Sequence, residues 1–175
     1  MKRWALLWGL FLGVGAAADS GEELVHINAA LKAWLQVMEA DAPYLLLDRG
    51  AAELRLVHGK AVMRSMAVVA DSLGAQPLVR SVVEYRLRHY RPSDPWSRLS
   101  SSPFDWEQNL VEDAAAQSAL YCTGGIMVHA SPVWIRPGAA TLQLGVNDLR
   151  ALYNACKPGI PLILLPGGWR EGRRL

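Results

Sequence analysis

The chain has 175 residues, 51% of them hydrophobic, with 18 basic and 16 acidic side chains and a formal net charge of +2. That length suits one domain with a sizeable core. A balance this even lacks the concentrated basic excess of a nucleic-acid binder, and no nucleic-acid partner is expected. The first element is an export signal. Lys2 and Arg3 form a positive n-region, Trp4 to Gly15 is apolar, and Ala16-Ala17-Ala18 supplies small residues for cleavage. Residues 4–15 would make about 18 Å of helix, short of the ~30 Å hydrocarbon core, so a cleaved signal peptide (1–18) is expected rather than an anchor. No other stretch is apolar for long enough to span a membrane, so no span is expected after cleavage. A periplasmic or secreted location follows.

Ser20-Gly21-Glu22-Glu23 has the form of a capping box. Behind it Leu24, Ile27, Leu31, Trp34, Leu35 and Met38 recur at helical spacing, which predicts an amphipathic helix over 21–40 within an N-terminal segment 19–42. Pro43 disfavours helix at the residue before it. Tyr44-Leu45-Leu46-Leu47 then reads as a short buried strand. Leu54 and Leu56, with Val62 to Val69, flank His58-Gly59-Lys60 as a hairpin.

From Val82 to Tyr90 the pattern alternates, with Val83, Tyr85 and Leu87 on one side and Arg86, Arg88 and Tyr90 on the other. Residues 91–105 read as a Pro- and Ser-rich loop holding Trp96 and Phe104, with Trp106 just beyond it. Glu107 to Gln117 reads as a short helix. Ala119 to His129 and Val133 to Arg136 look extended. Asn147-Asp148 can cap a helix running to Lys157, Pro158-Gly159 ends it, and Ile160 to Leu165 is a last apolar strand. The segment 167–175 reads as a basic, flexible tail. The sum is an α+β domain over 43–166, mostly β with short helices at its edges.

Two cysteines, Cys122 and Cys156, could pair in an oxidising compartment or stay as two small buried thiols. Arg86 and Arg88 on one strand face could bind carboxylates, or simply line a solvated face. The aromatic side chains of 96–106 could stack on a ligand or plug the edge of the core. The histidines His26, His58, His89 and His129 lack metal-ligand spacing, and no metal or other cofactor is expected.

Four stretches in this order resemble the catalytic domain of the L,D-transpeptidase (YkuD-like) family. They are Tyr44 to Asp48; Leu54 to Val62 with its Gly-Lys turn; Ile126-Met127-Val128-His129-Ala130-Ser131, similar to a strand ending in His-Gly-Ser/Thr; and Leu142 to Leu144 through Asn147-Asp148, Leu152-Tyr153 and Gly159 to Ile163. The resemblance implies an L,D-transpeptidase-like β-sandwich that meets peptidoglycan outside the cytoplasm. It also implies a nucleophile segment Ser-His-Gly-Cys, followed by an apolar residue and Arg or Asn. Here the matching positions hold Gly138-Ala139-Ala140-Thr141, then Leu142-Gln143. Thr141 stands where the family has Cys, Ala139 where it has His, and Gln143 where it has Arg. The family's Thr-Pro-X-Gly stretch is not recognisable.

A thiolate attacks an amide carbonyl because a neighbouring base lowers its effective pKa; a threonine hydroxyl is far less acidic. The leading expectation is therefore a non-catalytic transpeptidase-like protein that binds peptidoglycan peptide or a cell-wall partner. His129 and Thr141 would be the remnants of its site, with His129, Arg86 and Arg88 as ligand-binding candidates. Two alternatives stand beside it. One is an active transpeptidase or carboxypeptidase with Cys122 as a relocated nucleophile. In an extended strand Cys122 lies about 23 Å from His129 and on the opposite face, unless Gly124-Gly125 bends the chain. The other is an unrelated secreted binding protein.

Overall fold

A computed structural model describes residues 14–74, 78–87, 118–130 and 140–170. The expected loop 91–105, helix Glu107 to Gln117 and strand Val133 to Arg136 lie outside the described residues, as do Arg88, Ala139 and the signal's apolar stretch up to residue 13.

The fold is α+β and mostly β, as the sequence predicts. Its strands are β1 (Pro43–Asp48), β2 (Glu53–His58), β3 (Ala61–Asp71), β4 (Arg80–Leu87), β5 (Ala119–Cys122), β6 (Ile126–His129), β7 (Thr141–Leu144) and β8 (Pro161–Leu165). They close into a barrel in the order β1-β2-β3-β7-β6-β5-β4-β8. The expected sandwich is present as two sheets that share their corner strands. Ala61 to Ala67 of β3 pairs with β2, while Val68 to Asp71 pairs with β7. Likewise Arg80 to Val82 of β4 pairs with β8, and Val83 to Leu87 with β5. Bulges at Val68/Ala70 and Val83/Tyr85 turn each strand from one sheet into the next. The pairs β1–β8 and β6–β7 are parallel, and the others are antiparallel.

Alternation along the strands sends Leu45, Leu47, Leu54, Leu120, Val128, Leu142 and Leu164 into the barrel. The helix α2 (Val146–Ala155) closes one end of that core with Leu149, Leu152 and Tyr153. Its start differs from the expected Asn147-Asp148 cap. Gly145 occupies the cap position and makes no side-chain bond, while Asp148 lies in the first turn and pairs with Arg64 at 2.7 Å. A carboxylate there also suits the positive end of the helix.

The other helix, α1 (Val14–Glu39), covers the outside of the sheet formed by β1, β2 and β8. Ile27, Ala30, Ala33 and Val37 pack on Leu46, Val57, Ile163 and Leu165, the outward apolar rows of those strands. The helix starts ahead of the expected capping box, so Ser20 lies within it. It ends at Glu39, and Asp41 (φ 47°) turns the chain before Pro43. A buried relay fastens helix to hairpin: Trp34 Nε1 donates to the Tyr44 hydroxyl at 3.1 Å, which donates to the Gly59 carbonyl at 3.1 Å. Gly59 is in the left-handed region (φ 54°), and a Cβ there would stand 2.6 Å from Asp41 Oδ1, so the turn needs glycine.

The expected flexible tail is corrected over its first four residues. Trp169 is buried and donates to Asp48 Oδ1 at 3.1 Å, and Arg170 donates to Asp48 Oδ2 at 2.6 Å. Asp48, at the end of β1, also accepts the Ala51 N–H at 3.0 Å, so a fully buried carboxylate has three donors. The Trp169 ring meets Trp34 edge-on, with centroids 5.9 Å apart. Residues 171–175 lie outside the described residues.

Candidate functional site

The site is built on the sheet opposite α1. Ala119 to His129, expected as one extended run, is a hairpin. Gly124 and Gly125, both at φ 75°, reverse the chain between β5 and β6. Ser81 Oγ donates to the Thr123 carbonyl at 2.7 Å, and the Val82 N–H donates to Thr123 Oγ1 at 2.9 Å, which fixes this turn on β4. Cys122 then lies opposite Ile126, and Ala119 opposite His129. The 23 Å separation of an extended chain is gone, but the two side chains still point to opposite faces. Leu120, Cys122, Ile126 and Val128 enter the barrel core, whereas Ala119, Met127 and Tyr121 cluster on the outside. His129 belongs to that outer row through its pairing with Ala119.

Strand β7 extends the same face. Its parallel register sets Met127 beside Thr141 and His129 beside Gln143. Leu142 and Leu144 point inward, so Thr141 and Gln143 stand outward with His129. The start of β7 is held from both sides: the Met127 N–H donates to the Ala140 carbonyl at 3.0 Å, and the Ser72 N–H donates to the Thr141 carbonyl at 2.9 Å. The two expected remnants, 129 and 141, are therefore brought together on one face of adjacent strands. Both are buried, His129 at 1% exposure and Thr141 at 2%. The face also carries a pair not singled out from sequence, Tyr85 and Tyr121, stacked with centroids 4.9 Å apart. The pairing of Tyr85 with Tyr121 depends on the β4–β5 register and its bulge, which the sequence does not reveal.

Cys122 does not join this constellation. Burial first, then the neighbouring Cys156 and Glu84, push its thiol up to about 12, against a partial lowering by a hydrogen bond with Ser81. Near pH 7 only about one molecule in 10⁵ would carry the thiolate that attacks carbonyls. Cys156 is equally buried, at the C-terminal cap of α2, and its thiol is also raised to about 12 by burial. The two cysteines are free thiols.

Arg86 is corrected as a ligand-binding candidate. The bulge at Val83/Tyr85 resets the alternation: Val83 lies in the core, Tyr85 stacks outside, and Arg86 pairs with the core-facing Leu120. Its guanidinium donates to the Tyr153 carbonyl at 2.9 Å and sits 5.0 Å from the centre of the Tyr153 ring. Arg86 thus fastens α2 to β4 and does not reach the His129 face. Among the described residues no group of three His, Cys, Asp or Glu could hold a metal ion, and no helix is long and apolar enough to cross a membrane.

This face of the sheet thus gathers an imidazole, a hydroxyl and a carboxamide in cross-strand neighbourhood, with the imidazole and the hydroxyl covered from solvent. Such groups hold a polar ligand by hydrogen bonds, and none is a thiol. No protein-family model matches the chain, and no curated protein matches it. Solved structures similar to it include L,D-transpeptidase 1 of Mycobacterium tuberculosis, 17% identical over 72% of this chain and 63% of that one, with a TM-score of 0.49. A second is the Enterococcus faecium L,D-transpeptidase, a cysteine-to-serine mutant, 10% identical over 70% of this chain and 49% of that one, TM-score 0.49. A third is an L,D-transpeptidase in complex with imipenem, 17% identical over 71% of this chain and 59% of that one, TM-score 0.47. The chain thus spans about half to two thirds of the L,D-transpeptidase chains it resembles.

Proposed function

We propose that this chain is an exported, non-catalytic L,D-transpeptidase-like protein that holds a peptidoglycan peptide or a cell-wall protein without transforming it. One observation carries the reading. Position 141, which the sequence resemblance aligns with the family's cysteine, is a threonine buried on the same face as His129. Ala139 and Gln143 fill the positions of the family's His and Arg, so base and cation are missing along with the thiol. The placement of Cys122 in the core, with its proton held to about 12, argues against a relocated nucleophile. Lys2-Arg3, the apolar stretch behind them and Ala16-Ala17-Ala18 support export.

Purified protein incubated with tetrapeptide muropeptides should return them unchanged by liquid chromatography and mass spectrometry. Imipenem, a carbapenem of the kind that acylates active cysteines in this family, should add no mass to the intact protein. A cross-linked or trimmed product, or an imipenem adduct, would overturn the reading. Protein recovered from the periplasm should begin at Asp19; an uncut Met1 would refute the export signal as drawn.

A further inference from the structure

We infer that Cys122 and Cys156 are the two halves of an intrachain disulfide, which closes when the chain folds under oxidising conditions. The structure holds both as free thiols within one apolar core cluster. Their neighbourhood is fixed by the residues between them. Val83 faces Cys122 across β4 and β5. The same Val83 donates its N–H to the Ile160 carbonyl at 2.9 Å and accepts the Gly159 N–H at 2.8 Å. The chain leaving Cys156 therefore lies along the residue that Cys122 pairs with. On the other flank, Arg86, one row further along β4, holds the Tyr153 carbonyl at 2.9 Å. The last turn of α2 is pinned over β4 and β5 on both sides of Cys156, whose N–H completes the helix by donating to Leu152 at 2.8 Å. The two are also close enough for Cys156 to be one of the groups that raise Cys122.

Once the core has closed, both thiols stay protonated and are sealed from solvent. The exchange therefore belongs to the folding chain, where thiols ionise near pH 8.5. With oxidised glutathione as the disulfide oxidant, the Cys156 thiolate attacks one sulfur and releases one glutathione thiol. The Cys122 thiolate then attacks the mixed disulfide at the Cys156 sulfur and releases the second. Two S–H bonds are lost, one S–S bond forms, and the oxidant leaves as two thiols. The covalent loop from 122 to 156 encloses β6, β7 and α2, so it ties together the segment that carries both His129 and Thr141.

The test is refolding. Full-length protein unfolded in guanidinium with reductant is refolded in glutathione buffer, alkylated in denaturant and weighed. The expected product carries no alkyl group or glutathione, is about 2 Da lighter than the reduced chain, and yields a linked Cys122–Cys156 peptide. Cys122→Ser and Cys156→Ser should each abolish that species. The oxidised form should melt about 10 °C above the reduced form, whose refolding in reductant alone is the reference. A folded product with both cysteines alkylated or bound to glutathione would overturn the inference, as would an oxidised form that melts lower. Protein taken from an oxidising compartment without reductant gives a second reading by the same mass measurement; two free thiols there would also refute it.

Discussion

Position 141 shows what a single side chain can and cannot reveal. The resemblance in sequence marks Thr141 as the counterpart of a nucleophile, but its companionship with His129 depends on the parallel register of β6 and β7. That register joins residues fourteen apart through a connection the sequence leaves open. Arg86 was misjudged for a local reason. A period-two reading assumes an unbroken strand, and the bulge after Val83 moves every later side chain to the other face.

The cysteines give a prediction at the same scale. In the reduced protein both thiols are held up to about 12 from an ordinary 9.0, so the folded state keeps protons that the unfolded chain releases. Their contribution to stability is complete below about pH 9 and is lost as pH rises toward 12. In reductant, the unfolding free energy from urea titrations should fall between pH 8 and pH 10.5, by about 2 kcal/mol per buried thiol at the upper end. The Cys122→Ala, Cys156→Ala double variant should lose most of that slope, and an equal slope in both proteins would contradict the assignment.

Among the elements, α1 was the most legible and β5–β6 the least. The helix announces itself by apolar spacing, but of the six residues that carry the spacing only Ile27 is buried; the buried stripe is Ile27, Ala30, Ala33 and Val37, with Leu31 and Trp34 at its margin. Its exposed apolar side chains, Leu24 and Leu35, fit the same period but lie off the buried arc. Ala30 has no exposure, because the helix approaches the sheet closely there. Ala30→Glu would force a carboxylate into that contact, and equilibrium unfolding should show a loss of about 3 kcal/mol or more. Lys32→Glu, on the solvent side, should change stability by less than about 0.5 kcal/mol. The β5–β6 hairpin was hidden because its two short strands and their three-residue turn read as one apolar run. Only Gly124 and Gly125 betray the reversal.

For the molecule as a whole, composition and pattern fixed the class, since alternating apolar strands with few helices leave little but an α+β domain. Closure into a barrel was not legible, because it rests on β3 and β4 each serving two sheets. The anchoring of residues 169 and 170 was not legible either. A run of Gly and Arg looks like a solvated tail, yet Trp169 and Arg170 satisfy the buried carboxylate of Asp48. Truncation after Pro166 would leave Asp48 with one of its three donors and expose the Trp34 edge. Such a chain should lose about 3–5 kcal/mol and melt at least 10 °C lower in thermal unfolding; an unchanged melting temperature would contradict the anchoring role.

The place of β8 between β1 and β4 has a consequence for how the protein is made. The last of the described strands is the wedge that joins β1 to β4, with Leu162 beside Leu45 and Ile163 beside Arg80. Until Leu165 has emerged from the ribosome, β1 and β4 have no common neighbour and the barrel stays open. Long-range pairing of this kind comes late and slowly. The barrel is thereby kept from closing until the residues of β8 are available to pair.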